Sequence, residues 1–245
     1  FGQEKKSLAY VIGIMNMVLH GIETPNIVHT NSLNENVMDI QDKDRHDIVL
    51  ANPPFGGGER PEVQQNFPIK SGETAYLFLQ HFIRKLKKGG RAAIVIKNTF
   101  LSNSDAVQLR QELLKTCNLH AILDLPVNTF PGTSQKTVVL FFERGKPTSS
   151  TWYYELNPNR NLGKKSPLTE SDLLEFLKLI EAREDGPNSW SVPVQRVSKG
   201  TFDLSVINPN RNTKERQRSA SEILDSISNG VAEAQSALEA VRGLL

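Results

Sequence analysis

The chain has 245 residues, of which 38% are hydrophobic and 23% are charged, and this composition is typical of a soluble globular protein. It is long enough for one domain with an extension or for two small domains, and its net charge of +2 does not by itself argue for nucleic acid binding. No apolar run approaches the roughly 18 residues of a membrane helix, so we expect a cytoplasmic protein with no membrane association. Cys117 is the single cysteine, and the histidines lack metal-ligand spacing, so we expect neither an internal disulfide nor a metal site.

The first elements indicate an α/β fold. The chain begins at Phe1 rather than at methionine and enters an amphipathic helix at once, which we interpret as a start inside a domain. Apolar residues at helical spacing predict a helix over residues 5–20 with one buried face, ended by Gly21. Residues 27–30 form a short strand candidate, and residues 34–46 are polar enough to be a surface connection.

The next stretch combines a strand with an unusual loop. Residues 47–52 are mostly apolar and predict a buried strand that ends at Asn52. Pro53 and Pro54 fix their own φ and keep the residue before each extended, so Asn52 and the Pro53 carbonyl have little freedom, and Phe55 follows in a loop with three glycines. A polar side chain, a rigid turn with free carbonyls and an aromatic ring in a loop favour the binding of a planar heterocycle.

Helices and strands alternate through the following hundred or so residues. A largely buried helix is predicted over 73–88 and another over 104–116, started by Ser104 or Ser102. The linker 126–132 is too short for a crossover helix, so the strands beside it should pair antiparallel. This alternation predicts a mostly parallel α/β sheet, and ligands of such sheets bind beyond the carboxyl ends of the strands. The predicted strands are 91–96, 121–125 and 137–142.

The rhythm changes after residue 147. A lone aromatic strand, 152–154, precedes a helix that begins at Thr169 with Asp172 as its capping partner, and 185–218 is predicted to be irregular. The basic residues near 211–218 favour a solvated loop over a phosphate-facing strip. Apolar residues over 219–245 alternate spacings of three and four, which predicts a coiled-coil-like helix. The spacing favours equally packing against its own domain and contact with another subunit.

The chemistry of the loop becomes specific if the heterocycle is a base with an exocyclic amine. The lone pair of such an amine is delocalised into the ring, so the amine is a poor nucleophile. The Asn52 side-chain oxygen and the Pro53 carbonyl can each accept one N–H, which makes the lone pair available. Phe55 would stack on the ring, and the base must leave the duplex to reach the pocket.

These residues resemble a known family. Asn52-Pro53-Pro54-Phe55 is similar to the target-amine motif of adenine-specific DNA methyltransferases, and the order of further motifs resembles the modification (M) subunit of type I restriction–modification systems. The resemblance implies a Rossmann-like, S-adenosylmethionine-dependent methyltransferase sheet, mostly parallel with its last strand antiparallel, N-terminally incomplete and with a C-terminal helical extension. The further motifs are Gly2-Gln3-Glu4, residues 15–22, Asn31-Ser32-Leu33, Gly56, residues 86–93, Phe130-Pro131-Gly132 and residues 136–142.

The resemblance also implies roles for individual residues. Glu4 would hold the ribose hydroxyls of the cofactor S-adenosyl-L-methionine, although it could instead be a surface helix cap. Asn31 would lie by the cofactor adenine, where relatives often have Asp. Phe130 would be a second ring of the base pocket, or equally a loop residue that packs onto the sheet. The motif itself, Asn52, Pro53, Pro54 and Phe55, would carry catalysis.

The family's glycine-rich cofactor loop precedes the equivalent of Glu4, so the resemblance implies an incomplete methyltransferase core over 1–147 that lacks its first strands. Residues 148–218 would be a C-terminal extension and 219–245 the coiled-coil-like helix. We therefore expect weak cofactor binding by these residues alone. Implied partners are double-stranded DNA with a flipped adenine, the specificity (S) subunit, a second M subunit and the restriction (R) subunit.

Two other functions use the same residues. A methyltransferase acting on a glutamine side chain grips an amide in the same way, but tyrosine commonly follows its prolines, and here Phe55 does. A non-catalytic adaptor could keep the fold and bridge other subunits. The intact motif disfavours the adaptor, whereas the absent glycine-rich loop favours it.

Overall fold

The computed structural model describes residues 1–130, 133–197 and 199–210, and beyond them Leu224, Ser228 and Gln235, all three of which are helical. The chain divides into two compact units, Phe1–Asn210 and Arg211–Leu245. Across the part of the chain that is described, no helix has the length and apolar character needed to cross a membrane.

Strands and helices alternate through the first unit. The helices are α1 Ser7–Leu19, α2 Pro61–Gln64, α3 Thr74–Lys85, α4 Val107–Thr116, α5 Glu170–Leu179 and α6 Val194–Val197. The strands are β1 Gly2–Glu4, β2 Ile27–His29, β3 His46–Ala51, β4 Leu86–Lys97, β5 Cys117–Asp124, β6 Thr137–Arg144, β7 Ser150–Glu155 and β8 Ser189–Pro193.

Most of these strands belong to one mixed sheet. Within the described residues its order is β3-β4-β6-β5-β7-β8. β3 is parallel to β4 and β5 is parallel to β7, whereas β6 runs antiparallel to both β4 and β5. β8 is antiparallel to β7, so four strands point one way and β6 and β8 the other. The predicted α/β fold class is therefore confirmed, as is the antiparallel pairing across the linker 126–132.

The amino-terminal lobe, β1-α1-β2, forms a separate pair of parallel strands with one helix. The predicted helix is present and ends at Gly21, whose positive φ of 84° suits glycine. The prediction that one face of this helix is buried is wrong for the described residues, because α1 has no buried residue. Leu8 and Leu19 are 74% and 78% exposed.

β1 and β3 flank a wide cavity without pairing to each other. The ring of Phe1, before β1, stacks on His46, the first residue of β3, with centroids 6.0 Å apart. Beyond the other ends of the strands, Lys5 Nζ lies 3.5 Å from a carboxylate oxygen of Glu59. Each strand therefore has one edge without a strand partner among the described residues. The prediction that the 47–52 strand is buried needs correction, because Leu50 is 77% exposed.

The core lies under β4 and the strands beside it, where α3 and α4 pack. α3 ends three residues before the predicted helix end, and the lysines and glycines of 87–90 belong to β4 instead. The last turn of α3 still carries Arg84 and Lys85, which complement the helix dipole. The helical segment over 104–116 is capped by the Asn103 side chain, not by a serine as predicted, because Asn103 accepts the Asp105 N–H at 2.9 Å.

Two connections contain more structure than predicted. Leu33, Val37 and Ile40 are buried in a small cluster with Phe67 and Leu77, so the polar 34–46 connection also contributes to the core. The region 185–218, predicted to be irregular, contains β8 and α6. Both corrections have one cause: isolated apolar residues in a polar stretch carry no periodicity, so only their tertiary contacts reveal them.

The extension after residue 147 joins the same sheet through β7 and β8. Its helix α5 begins as predicted, with a reciprocal capping box between Thr169 and Asp172. The domain boundary predicted at residue 147 falls inside the first compact unit, Phe1–Asn210. The predicted basic segment 211–218 and almost all of the predicted tail helix 219–245 lie outside the described residues.

Candidate active site

The NPPF loop, residues 52–59, begins at the carboxyl end of β3. Ala51 still pairs with Ile94 of β4, so Asn52 is the first residue beyond the ladder, as predicted. Pro53 is buried and Pro54 is exposed. The strand and the buried proline thus fix the near end of the loop and direct the following residues away from the sheet.

The Asn52 carboxamide is available for a ligand. Asn52 is exposed, and its side chain hydrogen-bonds to none of the described residues. A carboxamide without an internal partner can use both its oxygen and its NH₂ group for binding. At the end of a strand it has the position that sheets of this class use for ligand contacts.

The structure brings two of the predicted aromatic residues together. The Phe55 and Phe130 rings have centroids 5.3 Å apart and are tilted by 53°. Phe130 lies in the linker after β5 and also packs against the cluster that contains Leu125 and Phe176. Both interpretations of Phe130 therefore have a contact in the structure, since the ring touches the sheet's core and the NPPF loop.

A cavity of about 1340 Å³ opens between β1 and β3. Both candidate cofactor residues, Glu4 and Asn31, line it, and Pro54 and Gly56 of the NPPF loop line it as well. Asn52, Phe55 and Phe130 do not. The loop thus contributes residues to the cavity wall and, separately, the exposed carboxamide and the aromatic pair.

Glu4 and Asn31 are partly engaged by their own backbones. One Glu4 carboxylate oxygen accepts the Lys6 N–H at 2.7 Å, at the entry to α1. The Asn31 side-chain oxygen accepts the Leu33 N–H at 3.2 Å and caps a short 3₁₀ turn. These bonds fix the orientation of both side chains, and they leave a second carboxylate oxygen on Glu4 for a ligand.

Several charged groups along the cavity are held in ion pairs, and His81 is held neutral, whereas Glu4 and Lys6 have no ion-pair partner among the described residues. Lys85 Nζ lies 2.8 Å from a Glu35 carboxylate oxygen, and Lys87 Nζ lies 2.9 Å from Asp47, which lowers the Asp47 pKa. Burial lowers the pKa of His81 to about 4, and nearby Lys85 adds to this effect, so His81 is neutral at pH 7. The wall therefore presents few unpaired charges to a ligand.

Sequence reasoning missed the residues that hold the far end of the NPPF loop. Thr74, the first residue of α3, donates its hydroxyl to the Gly57 carbonyl oxygen at 2.8 Å. Glu73 forms an isolated bridge with Gly58, and its carboxylate lies 3.3 Å from Lys97 Nζ at the end of β4. The sequence marked Glu73 only as a helix start, because a contact between a loop and a distant helix leaves no periodic signal.

Among the described residues there is no group of three or more His, Cys, Asp or Glu side chains placed to hold a metal ion. The buried Cys117 packs in the core, and burial raises the pKa of its thiol to about 11. A thiol with so high a pKa stays protonated at neutral pH and is a poor nucleophile. Cys117 is therefore a packing residue of the core and has no part in the candidate site.

Comparisons with known proteins identify close similarities. The family model for N-6 DNA methylases matches residues 1–218. The methylase subunit of the type I restriction enzyme EcoEI from Escherichia coli is 36% identical over 228 residues, which is 85% of this chain and 45% of that protein. The StySJI methylase subunit from Salmonella typhimurium is 30% identical over 227 residues, or 84% of this chain and 41% of that protein.

Solved structures agree with these relatives. A modification subunit assigned to a type I restriction enzyme of Vibrio vulnificus superimposes with a TM-score of 0.80 at 38% identity, over 86% of this chain and 48% of that one. A chain from a type I restriction–modification assembly gives 0.81 at 38% identity, over all of this chain and 54% of that one. The chain therefore spans less than half the length of the two curated relatives, at 45% and 41%. By the family match over residues 1–218 and the agreement in fold, this chain belongs to the N-6 DNA methylase family.

Proposed function

We propose that the complete protein methylates the 6-amino group of adenine in double-stranded DNA, as the modification subunit of a type I restriction–modification complex. The observation that carries this proposal is the exposed Asn52 carboxamide, which has no partner among the described residues and shares a loop with Phe55, whose ring contacts Phe130. Membership of the N-6 DNA methylase family supports the choice of adenine.

The residues of the NPPF loop suit the activation of an aromatic amine. The Asn52 side-chain oxygen and the Pro53 carbonyl each accept one N–H of the amine, which draws the nitrogen towards tetrahedral geometry. The Phe55 ring stacks on the base, a contact worth roughly 1–3 kcal/mol. Because a duplex hides the amine, the adenine is flipped out of the helix before it reaches these groups.

Glu4 and Asn31 suit a nucleoside cofactor because both line the cavity between β1 and β3. The free carboxylate oxygen of Glu4 would accept hydrogen bonds from the ribose hydroxyls, and Asn31 would hold the cofactor adenine. S-adenosyl-L-methionine supplies an electrophilic methyl group when it is bound. Pro54 and Gly56 line the same cavity, so the NPPF loop forms the boundary between the cofactor and the base.

The proposal includes polypeptide beyond the 245 residues. β1 and β3 each have a free edge on the cavity, and Leu50 of β3 is 77% exposed. A further parallel strand from the remainder of the protein pairs with these edges and completes the cofactor site over the proposed core 1–147. Sequence choice on DNA belongs to a specificity subunit, and a second modification subunit and a restriction subunit complete the assembly, in the cytoplasm. The extension 148–218 and the predicted helix over 219–245 are the segments proposed for these contacts.

Methylation by the reconstituted complex tests the proposal. With duplex DNA and radiolabelled S-adenosylmethionine, we expect Asn52→Ala to lower kcat by about 10² to 10³, the usual cost of one oxyanion-hole-type contact. Asn26→Ala, at an exposed asparagine just before β2 and outside the family motifs, is the matched control and should keep the wild-type rate. Equal rates for wild type and Asn52→Ala would exclude catalysis at this loop. Labelled protein with unlabelled DNA would favour the glutamine methyltransferase, and no labelled product with wild type would favour the adaptor.

A further inference from the structure

The far end of the NPPF loop serves as the cap of helix α3. The first backbone N–H groups of a helix have no partner within it. Here the Thr74 N–H donates to the Gly57 carbonyl oxygen at 3.1 Å, and the Thr74 hydroxyl donates to the same oxygen at 2.8 Å. The N-cap residue, Glu73, makes no side-chain capping bond. The Gly57 carbonyl oxygen thus caps the helix in place of a side chain, so the position of the loop depends on α3.

The glycines of the loop fit closely over this anchor. Gly57 has φ of +111°, a conformation that favours glycine, and a Cβ there would lie 3.6 Å from the Thr74 hydroxyl oxygen. Gly58 bridges to Glu73, whose carboxylate pairs with Lys97. A Cβ at Gly56 would lie 3.6 Å from Lys97 Nζ. The loop therefore rests on two fixed elements, the start of α3 and the end of β4.

Between its two ends the loop has little freedom. β3 holds the near end through the pairing of Ala51 with Ile94, and two prolines restrict the backbone that follows. Thr74 holds the far end and is itself only 7% exposed. Asn52 and Phe55 lie between these anchors. A shift of the Gly57 carbonyl must therefore be taken up by the residues that face the target base.

We propose that Thr74 is a positioning residue for adenine methylation: its buried hydroxyl fixes the Gly57 carbonyl and, through it, the places of Asn52 and Phe55. This inference rests on the proposed function. Thr74 also lines the cavity proposed for the cofactor, so the rates are compared at saturating S-adenosylmethionine. The effect of Thr74 is on the alignment of the amine acceptors, which matters in the transition state, and it is smaller on the binding of the DNA backbone.

Three variants in the complete protein with its partner subunits test the role. Thr74→Val keeps the shape and the backbone N–H but removes the hydroxyl. We expect kcat for DNA methylation to fall about three- to tenfold, as for the loss of one hydrogen bond, while the Kd for DNA changes less than about twofold. Thr74→Ser keeps the hydroxyl and should regain most of the rate. Thr151→Val is the matched control, because the buried Thr151 hydroxyl also donates to a carbonyl at 2.8 Å, that of Leu119, within the sheet.

Amide hydrogen exchange of residue 74, whose backbone N–H donates to the Gly57 carbonyl oxygen, provides a readout that does not depend on activity once the rate is corrected for the intrinsic exchange of the side chain present. Exchange should become about three- to tenfold faster in Thr74→Val and stay unchanged in Thr151→Val. An equal fall in kcat for both valine variants, or unchanged exchange in Thr74→Val, would overturn the positioning role. A wild-type complex that does not methylate adenine would overturn the proposed function instead. The amide hydrogen exchange measurement would still decide whether Thr74 holds the loop.

Discussion

Two helices with similar apolar spacing, α1 and α3, differ in how far they are buried. Nine of the twelve residues of α3 are buried against β4 and its neighbours, whereas none of the thirteen residues of α1 is buried. The same contrast holds for strands, since β4 has a partner on each side and β3 has a partner on one. The amino-terminal lobe and the main sheet therefore differ in what covers them more than in their sequence pattern.

This difference separates the two halves of the candidate site. The NPPF loop follows β3 and is anchored by β3, the start of α3 and the end of β4, so most of its anchors belong to the packed side. Glu4 and Asn31 lie on the open side, across a cavity beside which β1 and β3 each lack a second strand partner among the described residues. Substitutions on the packed side should therefore cost stability in this chain, and substitutions on the open side should not.

The largest expected effect is at Arg110, in the packed part. Its guanidinium is fully buried and donates four hydrogen bonds to backbone carbonyls, which joins the segment after β4 to residues 201–202. Arg110→Met removes all four bonds; the Asn103 carbonyl keeps the Ala106 N–H at 3.2 Å, but the carbonyls of residues 201–202 lose the guanidinium as a donor, and no repacking can remove a backbone acceptor. We expect the free energy of unfolding to fall by about 3–5 kcal/mol, measured by urea denaturation.

The control for this change lies one position further along α4. Gln111 is exposed, so Gln111→Met should alter the free energy of unfolding by less than about 0.5 kcal/mol. If Arg110→Met were as mild as the control, residues 201–202 would not be held by the buried guanidinium. The contrast between a packed and an open region would then lose its strongest support.

A somewhat smaller effect is expected at His81, where the packed side meets the cavity. Burial, aided by Lys85 and opposed by Glu35, lowers the pKa of His81 to about 4 from an unfolded value near 6.5. The unfolded chain therefore takes up this proton first as the pH falls. The contribution is fully present above pH 6.5 and is lost towards pH 4, by about 3 kcal/mol in total.

Urea unfolding as a function of pH measures this loss. His81→Leu removes the titrating group, so the slope of stability against pH between 6.5 and 4 should become flatter than in wild type. His120, whose pKa burial also lowers to about 4, keeps its own share of the slope in both proteins. If the free energy of unfolding depended on pH in the same way in wild type and His81→Leu, the pKa of His81 would not be lowered by folding. Its ring would then be hydrated rather than buried in the cavity wall.

The sequence predicted helices and strands well wherever the residues that determine an element lie within the element or next to it. Apolar spacing and a terminal glycine place α1 and its end at Gly21, and the short linker 126–132 forces the antiparallel pairing of β5 with β6. Burial was less predictable, because it depends on partners distant in sequence. The apolar run of β3 is the pattern of a covered central strand, yet Leu50 is exposed in this chain.

The candidate site shows the same limit. Asn52 at a strand's end and the aromatic Phe55 follow from local residue types, and the contact of Phe130 with Phe55 was implied by the family resemblance. The anchor at Thr74 could not be predicted, since a hydroxyl that caps a loop carbonyl 17 positions away has no signature in sequence. Tertiary hydrogen bonds of this kind are specified by the assembled fold, not by any single segment.

The smallest expected effect tests the open side directly. Leu50→Lys should change the free energy of unfolding of the 245-residue chain by less than about 0.5 kcal/mol, because this side chain is 77% exposed. In the complete protein a further strand beside β3 would bury the same position, and an unpaired lysine there should cost several kcal/mol. Urea denaturation of both forms measures the difference, with Leu140→Lys, at a fully buried position of β6, expected to be severe in both. An equally mild Leu50→Lys in the complete protein would show that the edge of β3 stays open there, and Glu4 and Asn31 would then have to hold the cofactor without a strand between β1 and β3.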